Sequence, residues 1–252
     1  MTISILLWLI ILVAARTLLV ASLQQLCRSK FAEKRRIYAI PIREIQLKRE
    51  RYMPFIGATM DAAIAAVLIA TDIFHFTQTS WYELLCYVLA HVFIVEPVYY
   101  WYHRLLHIGN FYKKHHYIHH LSAVPQPATS FTFTLVERLS YTALFAIPLL
   151  VAAYFQVLSF VGFTVYVLVF DFLNSLGHFN FEIFPKKFSQ KYLWFLIYTP
   201  SFHAQHHSKF NYNFSLFMPI FDYIFKTKEP TTEAAFKRIK QSRPFTKISE
   251  KA

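Results

Sequence analysis

Five long apolar runs divide the chain, and the polar residues gather between them. The runs cover about Ile3–Leu26, Met53–Phe76, Trp81–Tyr102, Leu139–Leu158 and Phe160–Leu176. Each approaches the roughly 20 residues that an α-helix needs to cross the hydrocarbon core of a bilayer. Almost nothing polar separates the last two runs, which is typical of a hairpin whose turn barely leaves the membrane. The pattern predicts an all-α integral membrane protein with four or five transmembrane helices.

The composition agrees with a membrane protein. Apolar residues make up 56% of the chain and charged residues only 16%, against roughly 25% charged in soluble domains. The first run has no basic segment before it and no small-residue cleavage site, so we expect a retained anchor. Arg16 within it is expected to be buried against a neighbouring helix. Two cysteines in 252 residues exclude a disulfide framework.

The basic residues predict the orientation. Segment 28–51 carries nine Lys or Arg residues, whereas the loops 77–80 and 157–160 carry none. The positive-inside rule places 28–51, 103–138 and the region after 177 in the cytoplasm. The net charge of +12 is then explained by topology and by anionic lipid headgroups, without nucleic acid.

Ten of the twelve histidines lie on this predicted cytoplasmic side, and only His75 and His91 do not. They form four stretches: HRLLH at 103–107, HHYIHH at 115–120, GH at 177–178 and HAQHH at 203–207. Residues three or four apart share a helix face, and neutral imidazole is a good ligand for Fe, Zn, Cu or Ni. One HxxxH motif alone would also suit an interfacial histidine. One HxxxH motif, two HxxHH motifs and His178 together offer nine histidines. This number exceeds the roughly four to six ligands of one ion, so the pattern favours two metals.

Further polar residues near these motifs have two interpretations. Glu96 and Asp171 lie in apolar runs, where an ionisable group is costly and commonly functional. They either orient ligand histidines through the second ring nitrogen or pair with an Arg or Tyr that holds helices together. Asn174, one helical turn before His178, is a similar candidate for orienting a ligand. His91, in the middle of a run, is expected to be a core histidine.

The motifs resemble those of the fatty acid hydroxylase/sterol desaturase superfamily of integral membrane di-iron enzymes. The resemblance covers about residues 80–228, and the flanking sequences EPVYYWYHRLLH and YTPSFHAQHHSKFNYN are similar to the N-terminal domain of plant eceriferum-type aldehyde decarbonylases. It implies a histidine-rich helical cap on the cytoplasmic side. His115 has no counterpart and is expected beside the ligands or in solvent. The implied metal ligands are His103, His107, His116, His119, His120, His178, His203, His206 and His207.

The resemblance also implies the cofactors. These are two iron ions, with zinc an expected substitute in purified protein, and O2 as co-substrate. No nucleotide-binding glycine motif occurs in the sequence, so electrons are expected from an external NAD(P)H-linked donor, such as a cytochrome b5-like or ferredoxin-like protein. A basic surface at Lys186, Lys187 and Lys191 would suit an acidic donor.

The expected function is O2-dependent hydroxylation or desaturation of a fatty acyl or sterol-type membrane lipid in lipid biosynthesis. One alternative is an aldehyde-deformylating, alkane-forming enzyme, although the eceriferum-type proteins carry a further C-terminal domain after this one. The other is a non-oxidative membrane protein that binds or transports metal. No HExxH motif occurs, which disfavours a zinc hydrolase. No catalytic group beyond the ligands is assigned.

The chain is expected to have three parts. Residues 1–79 would form the anchor helices and a basic linker, 80–228 the catalytic domain and 229–252 a basic tail. Tyr192–Tyr198 is apolar but too short to span, and is expected to lie at the membrane interface. The membrane would be the endoplasmic reticulum in a eukaryote and the inner membrane in a bacterium.

Overall fold

The protein is helical. The computed structural model describes residues 2–188 and 195–250, and within these ranges there is no β-strand. The predicted all-α class is therefore confirmed. The α-helices are α1 (Ile3–Cys27), α2 (Lys30–Glu33), α3 (Glu44–Glu50), α4 (Met53–Ala70), α5 (Trp81–Ala90), α6 (Glu96–Leu106), α7 (Gly109–Phe111), α8 (Tyr117–His120), α9 (Leu135–Tyr154), α10 (Phe160–Gly177), α11 (Pro200–Lys209), α12 (Ile220–Ile224) and α13 (Thr232–Lys240).

Five helical segments in the described part are long and apolar enough to cross a membrane, as predicted. They are α1, Glu44–Ala70, Trp81–Leu106, α9 and α10. The second ends at Ala70 rather than near Phe76, because the chain turns at Asp72, which has a φ of 59°. The third runs on to Leu106, so this helix carries His103 out of the apolar region.

The third span contains a widened turn. His91–Val95 is π-helical and joins α5 to α6. Pro97 follows it, and proline has no N–H to donate to a regular helical ladder. Such single π-turns are frequent at functional sites, and this one changes the register of the helix that leads to His103.

An apolar core joins the spans. Trp8 of α1 lies edge-on to Phe76, Phe160 and Phe163, with ring centroids 5.1 to 5.7 Å apart. Its indole Nε1 donates to the Thr164 hydroxyl at 3.0 Å, so α1 packs against α10.

Buried charges also hold the spans together. Arg16 of α1 donates to Asp171 of α10 at 2.6 Å and to Asp61 of α4 at 2.7 Å. Arg138 of α9 pairs with the same Asp61 carboxylate, which also accepts from Thr142 at 2.7 Å. Arg16 is only 4% exposed, which confirms that it is buried against neighbouring helices. Two cations and two anions make this cluster neutral.

The two ends of the bundle differ. At one end the Thr77 N–H donates to the carbonyl oxygen of Leu158 at 2.7 Å, so the two loops that lack basic residues touch. At the other end the Ile37 N–H donates to the carbonyl oxygen of Asn180 at 3.0 Å, which joins the basic linker to the segment after α10. The histidine motifs lie at this second end.

A small second core packs the parts outside the spans onto one another. Ile37 of the linker, Ala204 of α11 and Ile239 of α13 belong to one buried cluster with Phe245. The boundaries 1–79, 80–228 and 229–252 remain a prediction, as does the side of the membrane that this end faces. Residues 192–194 of the expected interfacial segment lie outside the described ranges.

Candidate metal centre

The structure brings the nine predicted histidines together in two groups. In each group the nearest ring nitrogens all lie within 4.8 Å of one another. All nine side chains are buried except that of His107, which is half-buried. The five-histidine group contains His103, His107, His116, His120 and His206, and the four-histidine group contains His119, His178, His203 and His207.

Each HxxHH motif serves both groups. His116 and His120 face the five-histidine group, whereas His119 between them faces the other. In α11, His203 and His207 face the four-histidine group, and His206 faces the five-histidine group. Adjacent helical residues point about 100° apart, so a helix that stands between two sites supplies both. This division explains why the doubled histidine recurs.

Local structure sets the positions of α11 and its histidines. Thr199 caps the helix, accepting from the Phe202 N–H at 3.2 Å. The Glu182 carboxylate accepts from the Ser201 N–H at 3.1 Å and from its hydroxyl at 2.7 Å. Burial raises the pKa of Glu182 to about 7. These bonds satisfy the free N–H groups of the first turn, so the helix begins at a defined residue.

Hydrogen bonds determine where the protons lie in the five-histidine group. His103 Nδ1 is 2.7 Å from the carbonyl oxygen of Phe214, which can only accept. His206 Nδ1 likewise lies 2.7 Å from the carbonyl oxygen of Tyr212. A neutral imidazole has a single N–H, so the Nε2 atoms of His103 and His206 both bear lone pairs. His116 Nδ1 is 2.6 Å from Glu137 Oε1, and its Nε2 lies 3.1 Å from that of His103.

The four-histidine group has the same arrangement. His178 Nδ1 donates to the carbonyl oxygen of Asn174 at 2.8 Å, so His178 Nε2 bears a lone pair. That atom lies 3.1 Å from His203 Nε2 and 3.4 Å from His119 Nε2. The five-histidine group therefore presents converging nitrogen lone pairs and the four-histidine group presents that of His178, and such nitrogens are good donors for a transition metal ion.

Several ring nitrogens are buried without a hydrogen-bond partner among the described residues. Buried polar atoms normally have one, so the orphaned atoms fit metal coordination. They are both nitrogens of His107 and His207, Nδ1 of His119, His120 and His203, and Nε2 of His206.

The pKa values of these histidines are depressed. Burial, with repulsion from His103, lowers the pKa of His107 to about 2, and burial lowers that of His178 to about 4. Burial and neighbouring histidines hold the pKa of His206 well below its usual range. The rings are neutral at pH 7, as ligands must be.

Glu137 was not among the predicted site residues, although it contacts His116 directly. It lies in the first turn of α9, where its N–H donates to the capping hydroxyl of Thr134. A carboxylate at the edge of an apolar run was the available signal, the same signal that singled out Glu96 and Asp171. Carboxylate partners of this kind orient ligand histidines and increase their basicity.

The three predicted orienting residues make other contacts. Glu96 accepts from the Phe217 N–H at 3.0 Å and lies 3.2 Å from His91 Nε2, outside both groups. Asp171 pairs with Arg16, so of its two interpretations the structure shows the one in which it holds helices together. The side chain of Asn174 donates to the Ser130 carbonyl at 3.1 Å, and its main-chain carbonyl contacts His178. His115 belongs to neither group, and its carbonyl accepts from the Thr134 hydroxyl.

A bundle of membrane-spanning helices that ends in two buried histidine groups is typical of membrane proteins that hold metal ions. The sequence profile of the fatty acid hydroxylase family matches residues 88–227, more than half of the chain and the region that contains all nine histidines. The chain belongs to the fatty acid hydroxylase family. No solved structure matches it significantly.

Plant proteins are among its relatives. The chain is 45% identical over 152 residues to Protein CER1-like 1 of Arabidopsis thaliana, covering 60% of this chain and 24% of that one. It is 40% identical over 166 residues to the very-long-chain aldehyde decarbonylase CER1 of the same plant, covering 64% and 27%. The rice (Oryza sativa subsp. indica) aldehyde decarbonylase GL1-4 is 43% identical over 150 residues, covering 59% and 24%. The chain thus matches about a quarter of the length of these relatives, whose names and family indicate an enzyme of lipid metabolism.

Proposed function

We propose that this protein is a membrane-bound, O2-dependent di-iron oxidoreductase that hydroxylates or desaturates a fatty acyl or sterol-type lipid. One observation carries the proposal: nine histidines, eight of them buried and one half-buried, form two groups in which the ring nitrogens converge. Burial lowers the pKa of these rings, so they are neutral at pH 7. Family membership supports iron as the metal and a lipid as the substrate.

The five-histidine group would hold one ion and the four-histidine group the other. When bound, two iron ions supply an oxidant strong enough for an unactivated C–H bond, because they share the electrons that split O2. The chain's own residues prepare the site. The carbonyls of Phe214 and Asn174 hold the Nδ1 protons of His103 and His178, so that their Nε2 atoms point inward without protons. Glu137 does the same for His116.

Aromatic rings lie against both histidine groups. Phe133 stacks on His119, with ring centroids 5.2 Å apart, and Tyr99 lies 5.1 Å from His103. An apolar wall of this kind suits a lipid chain and keeps the reacting carbon dry. Electrons would come from an external NAD(P)H-linked donor of cytochrome b5 or ferredoxin type. Lys186, Lys187 and Lys191 are the proposed docking residues, of which Lys191 lies outside the described ranges.

A second candidate reaction is aldehyde deformylation to an alkane. The names of two relatives, very-long-chain aldehyde decarbonylases of 40% and 43% identity, favour it. The same site would serve either reaction, because both place the end of an apolar chain beside the metals. Product analysis with a long-chain aldehyde and with an acyl lipid separates the two.

The first test is the metal content of purified protein expressed with added iron. We expect about two ions per chain. His119→Ala removes a ligand of the four-histidine group and His206→Ala one of the five-histidine group, so each variant should retain about one ion and the double variant almost none. Elemental mass spectrometry gives the counts, and all variants should remain in the membrane.

His75→Ala is the matched control. His75 is half-buried in the segment between α4 and α5, at the opposite end of the bundle. This variant should keep both ions and lipid oxidation. Full lipid oxidation in His119→Ala or His206→Ala, or wild-type protein with well under one ion per chain, would refute the proposal.

A further inference from the structure

The hydroxyl of Tyr141 is buried in the bundle without a partner. Its side chain is 7% exposed, and among the described residues nothing forms a hydrogen bond with its oxygen. Phenylalanine would pack equally well in an apolar core, and burying an unsatisfied hydroxyl costs free energy. A buried polar atom of this kind therefore calls for an additional partner.

Tyr141 lies beside the candidate metal centre. It follows Glu137 by one helical turn on the same face of α9, and Glu137 contacts His116. The Tyr141 ring is 5.2 Å from that of Phe133 and 6.3 Å from that of Tyr99. The ring of Tyr141 is thus one layer of side chains away from both histidine groups.

Two rings beside Tyr141 are less buried than Tyr141 itself. Phe133 and Tyr99 are both half-buried, although Tyr141 between them is buried. Phe133 stacks on His119 of the four-histidine group, and Tyr99 lies against His103 of the five-histidine group. Phe133 and Tyr99 therefore each link Tyr141 to one histidine group.

We propose that the Tyr141 hydroxyl donates a hydrogen bond to an oxygen atom at the reacting end of a long-chain lipid. This rests on the proposed function, because it places that end beside the histidine groups. The rings of Phe133, Tyr99 and Phe170 pack against that of Tyr141, so its free hydroxyl would fix the position of a carbonyl or hydroxyl oxygen that reaches it. The carbon beside the oxygen would then face the metals, and Tyr141 acts as a positioning residue that selects oxygen-bearing lipids over hydrocarbons.

The test is lipid binding without turnover. Purified protein in nanodiscs, without O2 and reductant, is titrated with labelled octadecanol and with octadecane. Wild-type protein should prefer the alcohol by about tenfold, the range of one buried hydrogen bond. Tyr141→Phe should lose most of this preference while its affinity for octadecane stays unchanged. Any contact of the alcohol with a metal is common to both proteins and cancels in the comparison.

Tyr166→Phe is the matched control. Tyr166 is also a tyrosine within the spans, but its hydroxyl already donates to the carbonyl oxygen of Phe145 at 3.1 Å. This variant should keep the wild-type preference. Equal melting temperatures for Tyr141→Phe and wild-type protein show that the fold is intact.

Two results would overturn the inference: an unchanged preference in Tyr141→Phe, or no preference in wild-type protein. An unchanged preference would mean that the hydroxyl serves only a structural water molecule. Because the assay reads neither product nor metal content, its outcome is separate from that of the proposed function. A protein that binds octadecanol through Tyr141 and yet oxidises no lipid would refute the proposed function alone.

Discussion

A histidine ligand must present a nitrogen without a proton, and the main chain of this protein enforces that at the level of single residues. The carbonyl oxygens of Phe214, Asn174 and Tyr212 accept the Nδ1 protons of His103, His178 and His206 at 2.7 to 2.8 Å. Each bond fixes the tautomer and the ring orientation, as the proposed metal binding requires. His116 differs, because its partner is the carboxylate of Glu137, which adds charge as well as orientation.

Glu137→Gln should weaken metal binding without unfolding the protein. The amide oxygen of Gln can still accept from His116 Nδ1, so the ring stays oriented, while the carboxylate that a bound metal ion would favour is lost. Removing such a partner typically costs about 10- to 100-fold in metal affinity. We expect metal to leave Glu137→Gln at a lower chelator concentration than wild-type protein, and Glu137→Ala, which loses the acceptor too, at a lower concentration still.

Glu33→Gln is the control for the loss of one carboxylate. Glu33 is exposed at the end of α2, so its substitution should leave the chelator titration unchanged. If Glu137→Gln and Glu33→Gln release metal at the same chelator concentration, Glu137 serves only the packing of α9.

The histidines could be predicted from the sequence, whereas most of their partners could not. Spacing of three or four residues places imidazoles on one face of a helix, and that rule needs no tertiary structure. The carbonyls of Phe214 and Asn174 carry no sequence signal, because every residue has one. Glu137 did carry a signal, a carboxylate in an apolar run. The same signal at Asp171 marks an ion pair with Arg16, so it identifies a buried charge but not its partner.

At the scale of helices, hydropathy predicted which segments cross the membrane, and local chemistry determined where they end. The third span continues through a π-turn at His91–Val95 to Leu106, and an average over 20 residues does not resolve such a turn. The contacts between helices follow from charges as well as from apolar surface. Arg16 joins α1 to α4 and α10 through two carboxylates, so α1 is part of the bundle that supports the histidines.

Arg16→Met should destabilise the bundle strongly. It leaves Asp171 without its cation and gives the buried cluster an excess negative charge, and breaking a buried pair in this way costs about 3–5 kcal/mol. Arg16→Met/Asp171→Leu restores neutrality, because Arg138 and Asp61 remain as a pair, and should recover most of the loss. Thermal unfolding in detergent provides the comparison.

The exposed pair Lys48–Glu44 serves as the control for Arg16. Its charges are 2.7 Å apart, but both side chains are at least 75% exposed, and surface pairs contribute about 0–1 kcal/mol. Lys48→Met should therefore leave the melting temperature almost unchanged. The charge-balance argument would be contradicted if Arg16→Met had the same melting temperature as Lys48→Met. It would also be contradicted if Arg16→Met/Asp171→Leu were less stable than Arg16→Met.

At the scale of the whole molecule, the basic residues and the histidine groups lie at the same end of the bundle, and the loops without Lys or Arg lie at the other end. The loops that meet through Thr77 and Leu158 have no Lys or Arg, whereas segment 28–51 has nine and packs at the histidine end. The positive-inside rule then predicts that the histidine end faces the cytoplasm, where reduced electron carriers are available. The sequence predicted this uneven distribution of charge because it depends only on where the Lys and Arg residues lie along the chain. It did not predict the shared core of Ile37, Ala204 and Ile239, since contacts between distant segments depend on the packed fold.

Cysteine labelling tests this orientation directly. Cys27 and Cys86 are free thiols and are first replaced by serine and alanine. Gln78→Cys lies in an exposed loop at the end without basic residues, and Lys34→Cys and Lys237→Cys are exposed at the histidine end. A membrane-impermeant maleimide applied to sealed vesicles with the cytoplasmic side inside should label only Gln78→Cys. Permeabilisation should expose the other two, since the bilayer is then no barrier. If Lys34→Cys and Lys237→Cys react in sealed membranes while Gln78→Cys is protected, the orientation is reversed, and an electron donor would have to reach the histidines from the opposite side.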